Sequence, residues 1–151
     1  MKIVSACLAG IKCRWNGEND VNEKIKEMVE KGDAIAACPE VLGGLTVPRK
    51  SAGIYDGLGE NVLGNKATVR TIDDGEDLTE HFLKGANEFL KIAKSKNIKI
   101  AILRTPNPSC GCGKTWQLDD EFVNHVVDGD GVTTALLKKN GIKVYNEENF
   151  K

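Results

Sequence analysis

Three short apolar runs in this chain each lead to a cysteine, and that repetition constrains the fold more than any other feature. Ile3-Val4-Ser5-Ala6 ends at Cys7, and Ala34-Ile35-Ala36-Ala37 ends at Cys38. Ile98-Lys99-Ile100-Ala101-Ile102-Leu103 leads into Pro108-Ser109-Cys110-Gly111-Cys112-Gly113. Runs of this length, bounded by Gly and Pro and separated by helical patterns, read as buried strands of a parallel sheet. The carboxyl ends of such strands form one rim, and ligands of open α/β sheets bind there. Three thiols remote in sequence are therefore expected to meet at one place, with 98–103 as the central strand.

A chain of 151 residues with ordinary apolar content can bury one real core and is short for two domains of usual size. The expectation is α/β: a single three-layer Rossmann-like domain over 1–151 with a mostly parallel sheet. Asn19 or Asp20 is placed to cap a helix over 21–31 that Gly32 ends and that crosses from the first strand to the second. The Gly-rich stretch at about 43–64 reads as a long functional loop over the site. Residues 66–71 alternate like an edge strand. Asp77 with Glu80 matches a capping box for a helix over 78–96, whose apolar stripe is Phe82, Ala86, Phe89, Leu90 and Ala93. From 114 to 130 the periodicity does not choose between turns and short strands. A helix over 131–141 and a strand over 142–145 close the chain.

The net charge of −1 has no basic block behind it, which excludes the electrostatic footprint of a nucleic-acid binder. The first residues read as a strand rather than a secretory leader, and no apolar run is long enough to span a bilayer. A cytoplasmic protein with no membrane partner is expected, its oligomeric state open between monomer and homodimer. Five cysteines cannot all pair, so in a reducing compartment they serve metal ligation, catalysis or burial.

The spacing sorts the possible chemistries. Structural zinc sites use paired C-x₂₋₄-C or H-x₃₋₅-H knuckles, whereas Cys7 to Cys13 is C-x₅-C and Cys110 to Cys112 is C-x-C. A thioredoxin-like C-x-x-C is also absent. An iron–sulfur cluster accepts thiolates from separate loops: Cys7, Cys38 and Cys110, with Cys13 or Cys112 as a fourth. With three ligands one iron stays open and takes a soft sulfur atom. Glu40, two residues after Cys38, is a candidate general acid or base. Ser109 and Asn107 are candidate hydrogen-bonding partners of a substrate heteroatom. Arg14 and Trp15 are placed to bracket a planar ligand, and Arg49 to meet an anionic group. Trp116 reads as packing, and His81 and His125 as surface residues.

At these residues the chain resembles the thiouracil desulfidase family, formerly a domain of unknown function. The likeness runs through Ser5-Ala6-Cys7-Leu8-Ala9-Gly10 with Cys13-Arg14-Trp15-Asn16-Gly17, then Cys38-Pro39-Glu40-Val41-Leu42-Gly43-Gly44 with Pro48-Arg49. It continues through Asp77–Ala86, Pro108–Gly111, Gly131–Leu137 and Asn140-Gly141-Ile142. The resemblance implies an oxygen-sensitive 4Fe-4S cluster on three cysteines, carried over to Cys7, Cys38 and Cys110. It implies further that the free iron takes the sulfur of a thiolated pyrimidine, that water replaces that sulfur without net redox change, and that Glu40 and a serine, placed at Ser109, assist. Where the family often has Ser-Pro-Ser-Cys this chain has Asn107-Pro108-Ser109-Cys110, so the polar role falls to Ser109 or to Asn107. Lys50-Ser51-Ala52-Gly53-Ile54 is more polar than the family's usual continuation, which leaves the substrate open beyond a small thiolated compound.

The function expected is iron–sulfur-dependent, non-redox removal of sulfur from a small thiocarbonyl compound such as 2-thiouracil, by an enzyme of hydrolytic type. The rivals are a module that carries zinc or sulfide on the same thiolates without turnover, and a thiol redox enzyme using Cys110 and Cys112.

Overall fold

The computed structural model describes residues 1–150. β1 (Lys2–Ser5) runs through a 3₁₀ turn and a loop to α1 (Glu23–Glu30), β2 (Ala34–Ala37) and the one-turn α2 (Pro39–Leu42). Then come β3 (Ala52–Tyr55), α3 (Gly59–Leu63), β4 (Thr68–Thr71), α4 (Thr79–Ser95) and β5 (Ile100–Leu103). The hairpin of β6 (Lys114–Leu118) and β7 (Asn124–Asp128), then α5 (Val132–Lys139) and β8 (Lys143–Asn146), complete the order.

Four strands form an all-parallel sheet in the order β2-β1-β5-β8. Side chains alternate across such a sheet, and both of its faces are covered. Ile3, Ala101 and Leu103 pack with Phe89, Leu90 and Ala93 of α4 and Leu137 of α5. Val4 and Ile102 pack with Ile25, Met28 and Val29 of α1 on the other face. Phe89 is fully buried, and truncating such a side chain to Ala costs about 3–5 kcal/mol. The α/β class with a parallel sheet between helices, expected from the apolar runs, is what the chain adopts.

A second sheet, β4-β3-β6-β7, stands beside the first. It is mixed, with β3 antiparallel to β4 and parallel to β6. Its core holds Ile54, Val62, Val69, Leu78, Phe82 and Ala86. Helix α4 thus serves two cores: Phe82 and Ala86 face the second sheet's, while Phe89, Leu90 and Ala93 face the first's. Its 17 residues span about 25 Å, enough to bridge both.

The structure departs from expectation in three places and decides a fourth. The span 43–64 is not all loop, since β3 and α3 lie within it. The α1 cap is Asn22, whose side chain accepts from Ile25 N, because Asn19 is engaged with Gly10 O and Asp20 with Arg104. No capping box forms at α4: the Asp77 carboxylate turns to Thr79 N, and Leu78 occupies the cap. Residues 114–130, undecided from the sequence, are the β6–β7 hairpin. Among the described residues no helix is long and apolar enough to cross a membrane.

Candidate metal centre

Cys7 lies in the 3₁₀ turn just after β1, Cys38 is the residue between β2 and α2, and Cys110 sits on the turn that follows β5. These three strands are adjacent in the sheet and point the same way, so their carboxyl ends deliver the three side chains to one hollow. Its empty space is about 410 Å³, and Cys13, Ser5, Glu40, Arg49, Arg104 and Asn107 also line it. Cys13 is buried and is therefore a fourth thiol at the hollow. Cys112 is not there. Its sulfur turns the other way, toward Val144 O of β8 at 3.4 Å.

Each segment is held by identifiable contacts. The Cys38 Sγ donates to Cys13 O at 3.9 Å. Helix α2 is seated on α4 by backbone contact: a Cβ on Gly85 would lie 1.9 Å from Pro39 O, and one on Gly43 2.0 Å from His81 O. His81 Nδ1 lies 2.8 Å from Gly43 O, although the side chain is exposed as expected. The Cys110 turn is an Asx turn, with Asn107 Oδ1 accepting from Ser109 N at 2.7 Å and Cys110 N at 2.8 Å. The start of α5 clamps it from below, since Thr134 Oγ1 donates to Cys110 O and Thr133 N to Ser109 O.

Three of the thiols at the hollow are pushed up from the ordinary thiol range. Burial pushes the Cys110 thiol up strongly, with a hydrogen bond to Ser5 acting against it. Contact with the Cys13 thiol, then burial, pushes Cys38 up. For Cys13 the hydrogen bond from Cys38 is the largest influence and lowers it, but Cys7 and burial prevail, and it is pushed up to about 11. A raised thiol resists ionisation, and a bound metal, which favours the thiolate, would offset that cost.

All five cysteines are free thiols. Among the described residues no three His, Cys, Asp or Glu side chains close around a point where a single metal ion would sit. The donor set, soft thiols around a shared hollow, fits a polynuclear iron–sulfur core.

Glu40, in the first turn of α2, points its carboxylate into the hollow's rim. Its Oε1 accepts from Arg49 Nε at 3.1 Å and its Oε2 faces Asn107 Nδ2 at 3.5 Å. Both side chains of the Glu40–Arg49 pair are largely buried. Arg49 is spoken for, because its other donors go to Cys13 O and Thr46 O. The anionic group it meets is Glu40 of the protein itself. Ser109 does not reach the hollow: it is buried, and its Oγ lies 2.7 Å from Thr133 Oγ1. Asn107 does line it, and stands as the polar side chain beside Glu40.

The hollow opens into a wider cleft with about 960 Å³ of empty space, sharing Arg14, Trp15, Glu40, Arg104 and Asn107. Trp116 from β6 walls the far side, where the sequence suggested plain packing. Arg104, directly after β5, was not singled out from the sequence. It lines both spaces and is tied to Asp20 at 2.7 Å and to Pro106 O at 3.1 Å. Ser5 was missed also, though its place two residues before Cys7 in β1 was a readable signal.

Comparison with known proteins yields three results. A model of the 2-thiouracil desulfurase family matches residues 3–149. The uncharacterized protein YbbK of Bacillus subtilis (strain 168) is 44% identical over 147 residues, covering 97% of this chain and 95% of that protein. Among solved structures, the [4Fe-4S]-dependent thiouracil desulfidase TudS superposes with a TM-score of 0.82 at 36% identity, over 98% of this chain and 91% of that one.

Proposed function

Because the chain belongs to the 2-thiouracil desulfurase family, we propose that it removes sulfur from a small thiocarbonyl compound such as 2-thiouracil by hydrolysis, with a 4Fe-4S cluster bound at the strand rim. The observation that carries the reading is the common hollow of Cys7, Cys38 and Cys110 with a carboxylate on its edge. Cys7, Cys38 and Cys110 are the cluster's ligands. Bound there, the cluster supplies a Lewis-acidic iron with room for one soft sulfur atom.

The remaining steps belong to the chain. Glu40 takes a proton from a water molecule as that water attacks the thiocarbonyl carbon. The remaining hydroxyl proton passes to sulfur as the carbon–sulfur bond breaks, the oxygen becomes the new carbonyl, sulfur departs as hydrosulfide, and Glu40 releases the proton it took, which completes hydrogen sulfide. C=S and water give C=O and hydrogen sulfide, with no change in oxidation state. Asn107 replaces a hydroxyl side chain in this chemistry: its amide Nδ2 donates to Glu40 and holds the carboxylate toward the hollow. Arg14, Trp15 and Trp116 line the cleft that receives the heterocycle. The planar ring is suited to stacking on these aromatic faces.

The test is anaerobic reconstitution followed by turnover under argon. About four irons and four sulfides per chain are expected, with broad absorbance near 400 nm roughly as cubane clusters give. Incubation with 2-thiouracil in H₂¹⁸O should release uracil and sulfide in equal amounts, with label in the new carbonyl. Fully loaded protein that releases no sulfide from any thiolated pyrimidine overturns the assignment.

A further inference from the structure

We infer that Arg49 is a positioning residue for Glu40, setting which carboxylate oxygen meets the water and coupling that setting to the segment that roofs the hollow. The inference rests on the desulfuration reading, in which Glu40 is the base. The sequence placed Arg49 as a contact for an incoming anion; the geometry points to an internal task.

Each of the three guanidinium nitrogens has an acceptor within the protein. Nε reaches Glu40 Oε1 at 3.1 Å, Nη2 reaches Cys13 O at 2.9 Å and Nη1 reaches Thr46 O at 3.1 Å. The backbone N of Arg49 donates to Trp15 O at 2.7 Å. One residue therefore ties α2, which carries Glu40 and is preceded by Cys38, to the 13–15 segment of Cys13, Arg14 and Trp15. The Arg49 side chain is 7% exposed and that of Glu40 13%, so the pair is shielded from water.

A planar fork with three fixed acceptors holds its partner's orientation as well as its charge, which lysine's single ammonium cannot do. With Oε1 committed to Arg49, Oε2 is left on the Asn107 side, 3.5 Å from Nδ2. Oε2, which accepts only the long contact from Asn107 Nδ2, keeps a second lone pair for a proton. Cutting the Arg49 contact lets the carboxylate rotate away, and displacements of about 1 Å at a reacting group cost on the order of 100-fold in rate.

The experiment is a double-mutant cycle between R49Q and E40D, with R49K alongside, on reconstituted protein. Iron and sulfide content and the absorbance spectrum are read for each variant, and apo-protein thermal unfolding is read for the same set. If Arg49 acts through Glu40, R49Q lowers kcat on 2-thiouracil about 100-fold with KM changed less than about 3-fold and the cluster retained. In the E40D background, where the shortened carboxylate no longer reaches Arg49, adding R49Q costs at most about 3-fold more. The two changes should also be non-additive in apo-protein melting. R49K should fail to restore kcat.

Three results overturn the inference. A rise in KM with kcat unchanged makes Arg49 a substrate contact. Additive losses accompanied by lost iron make it a structural support for the roof. Full activity in R49K makes charge sufficient and orientation irrelevant. Loaded wild-type protein without turnover sinks the desulfuration reading first, and this inference with it, which separates the two failures.

Discussion

Cys110 and Cys112 stand two residues apart on one turn, yet they belong to different regions of the molecule. Cys110 faces the hollow among three other thiols, beside Ser5 and near Glu40. Cys112 faces β8, with its N bound to Thr105 Oγ1, its O to Asn146 Nδ2 and its sulfur on Val144 O. Burial pushes both thiols up, so burial does not separate them. Company does. One thiol sits in a sulfur-lined space with a carboxylate at its edge, and the other is packed against backbone. Spacing along the chain says little about function when a tight turn reverses the side chain's direction.

The sharpest way to break this contrast is to remove sulfurs one at a time. C7S, C38S and C110S should each bring iron content after reconstitution close to zero, measured by iron and acid-labile sulfide assay, with turnover lost. A variant of this trio that loads fully would remove that residue from the ligand set. Next in size is E40Q, expected to keep the absorbance spectrum while sulfide release falls by about 10²–10⁴, the range of a lost general base.

Smaller is the effect of tightening the seat of α2. G85A would place a methyl carbon 1.9 Å from Pro39 O, so α2 must shift and carry Cys38 with it. Overpacking of this kind costs about 1–3 kcal/mol and should lower Tm by roughly 3–10 °C in a calorimetric scan. The smallest effect is that of C112S, because a hydroxyl can keep the bond to Val144 O. Iron content should be unchanged and turnover should stay within about 2-fold. If C112S proves as damaging as C110S, the contrast collapses and the thiol redox reading returns.

The parts of the fold legible in the sequence are those where one local pattern agrees with its burial. β1, β2 and β5 were marked by apolar runs, and α4 by a stripe in which all five members are buried. The second sheet was hidden because its strands carry mixed signals. β3 reads Ala52-Gly53-Ile54-Tyr55, and at Gly53 the Asn124 side chain from β7 fills the space a Cβ would take, 2.0 Å from Asn124 Oδ1. Its glycine comes from tertiary contact and reads locally as loop. The β6–β7 turn has no Asn-Gly or Asp-Gly signature; it is built from Asp119 capping Glu121 N and Val123 N, with Phe122 at φ 59°.

At the site, the convergence of three cysteines could be read from strand ends, because parallel strands fix which ends lie together. Which polar side chain of Asn107-Pro108-Ser109 faces the hollow could not, because it depends on the Asx turn and on α5. Thr133 draws Ser109 inward with a hydrogen bond between hydroxyls 24 residues apart. Arg49 and Arg104 were legible as charges, but their destinations, Glu40 and Asp20, exist only in three dimensions.

The strand order β2-β1-β5 also sets a timetable for the living cell. During translation the first two sulfurs emerge with Cys7 and Cys38, while the third, Cys110, follows 72 residues later. At about 5–20 residues per second the early pair waits about 4–14 s for its companion. Neighbouring strands must be in register before the three thiols face one another, so a chain that loses the β1–β2 or β1–β5 pairing loses the hollow with it.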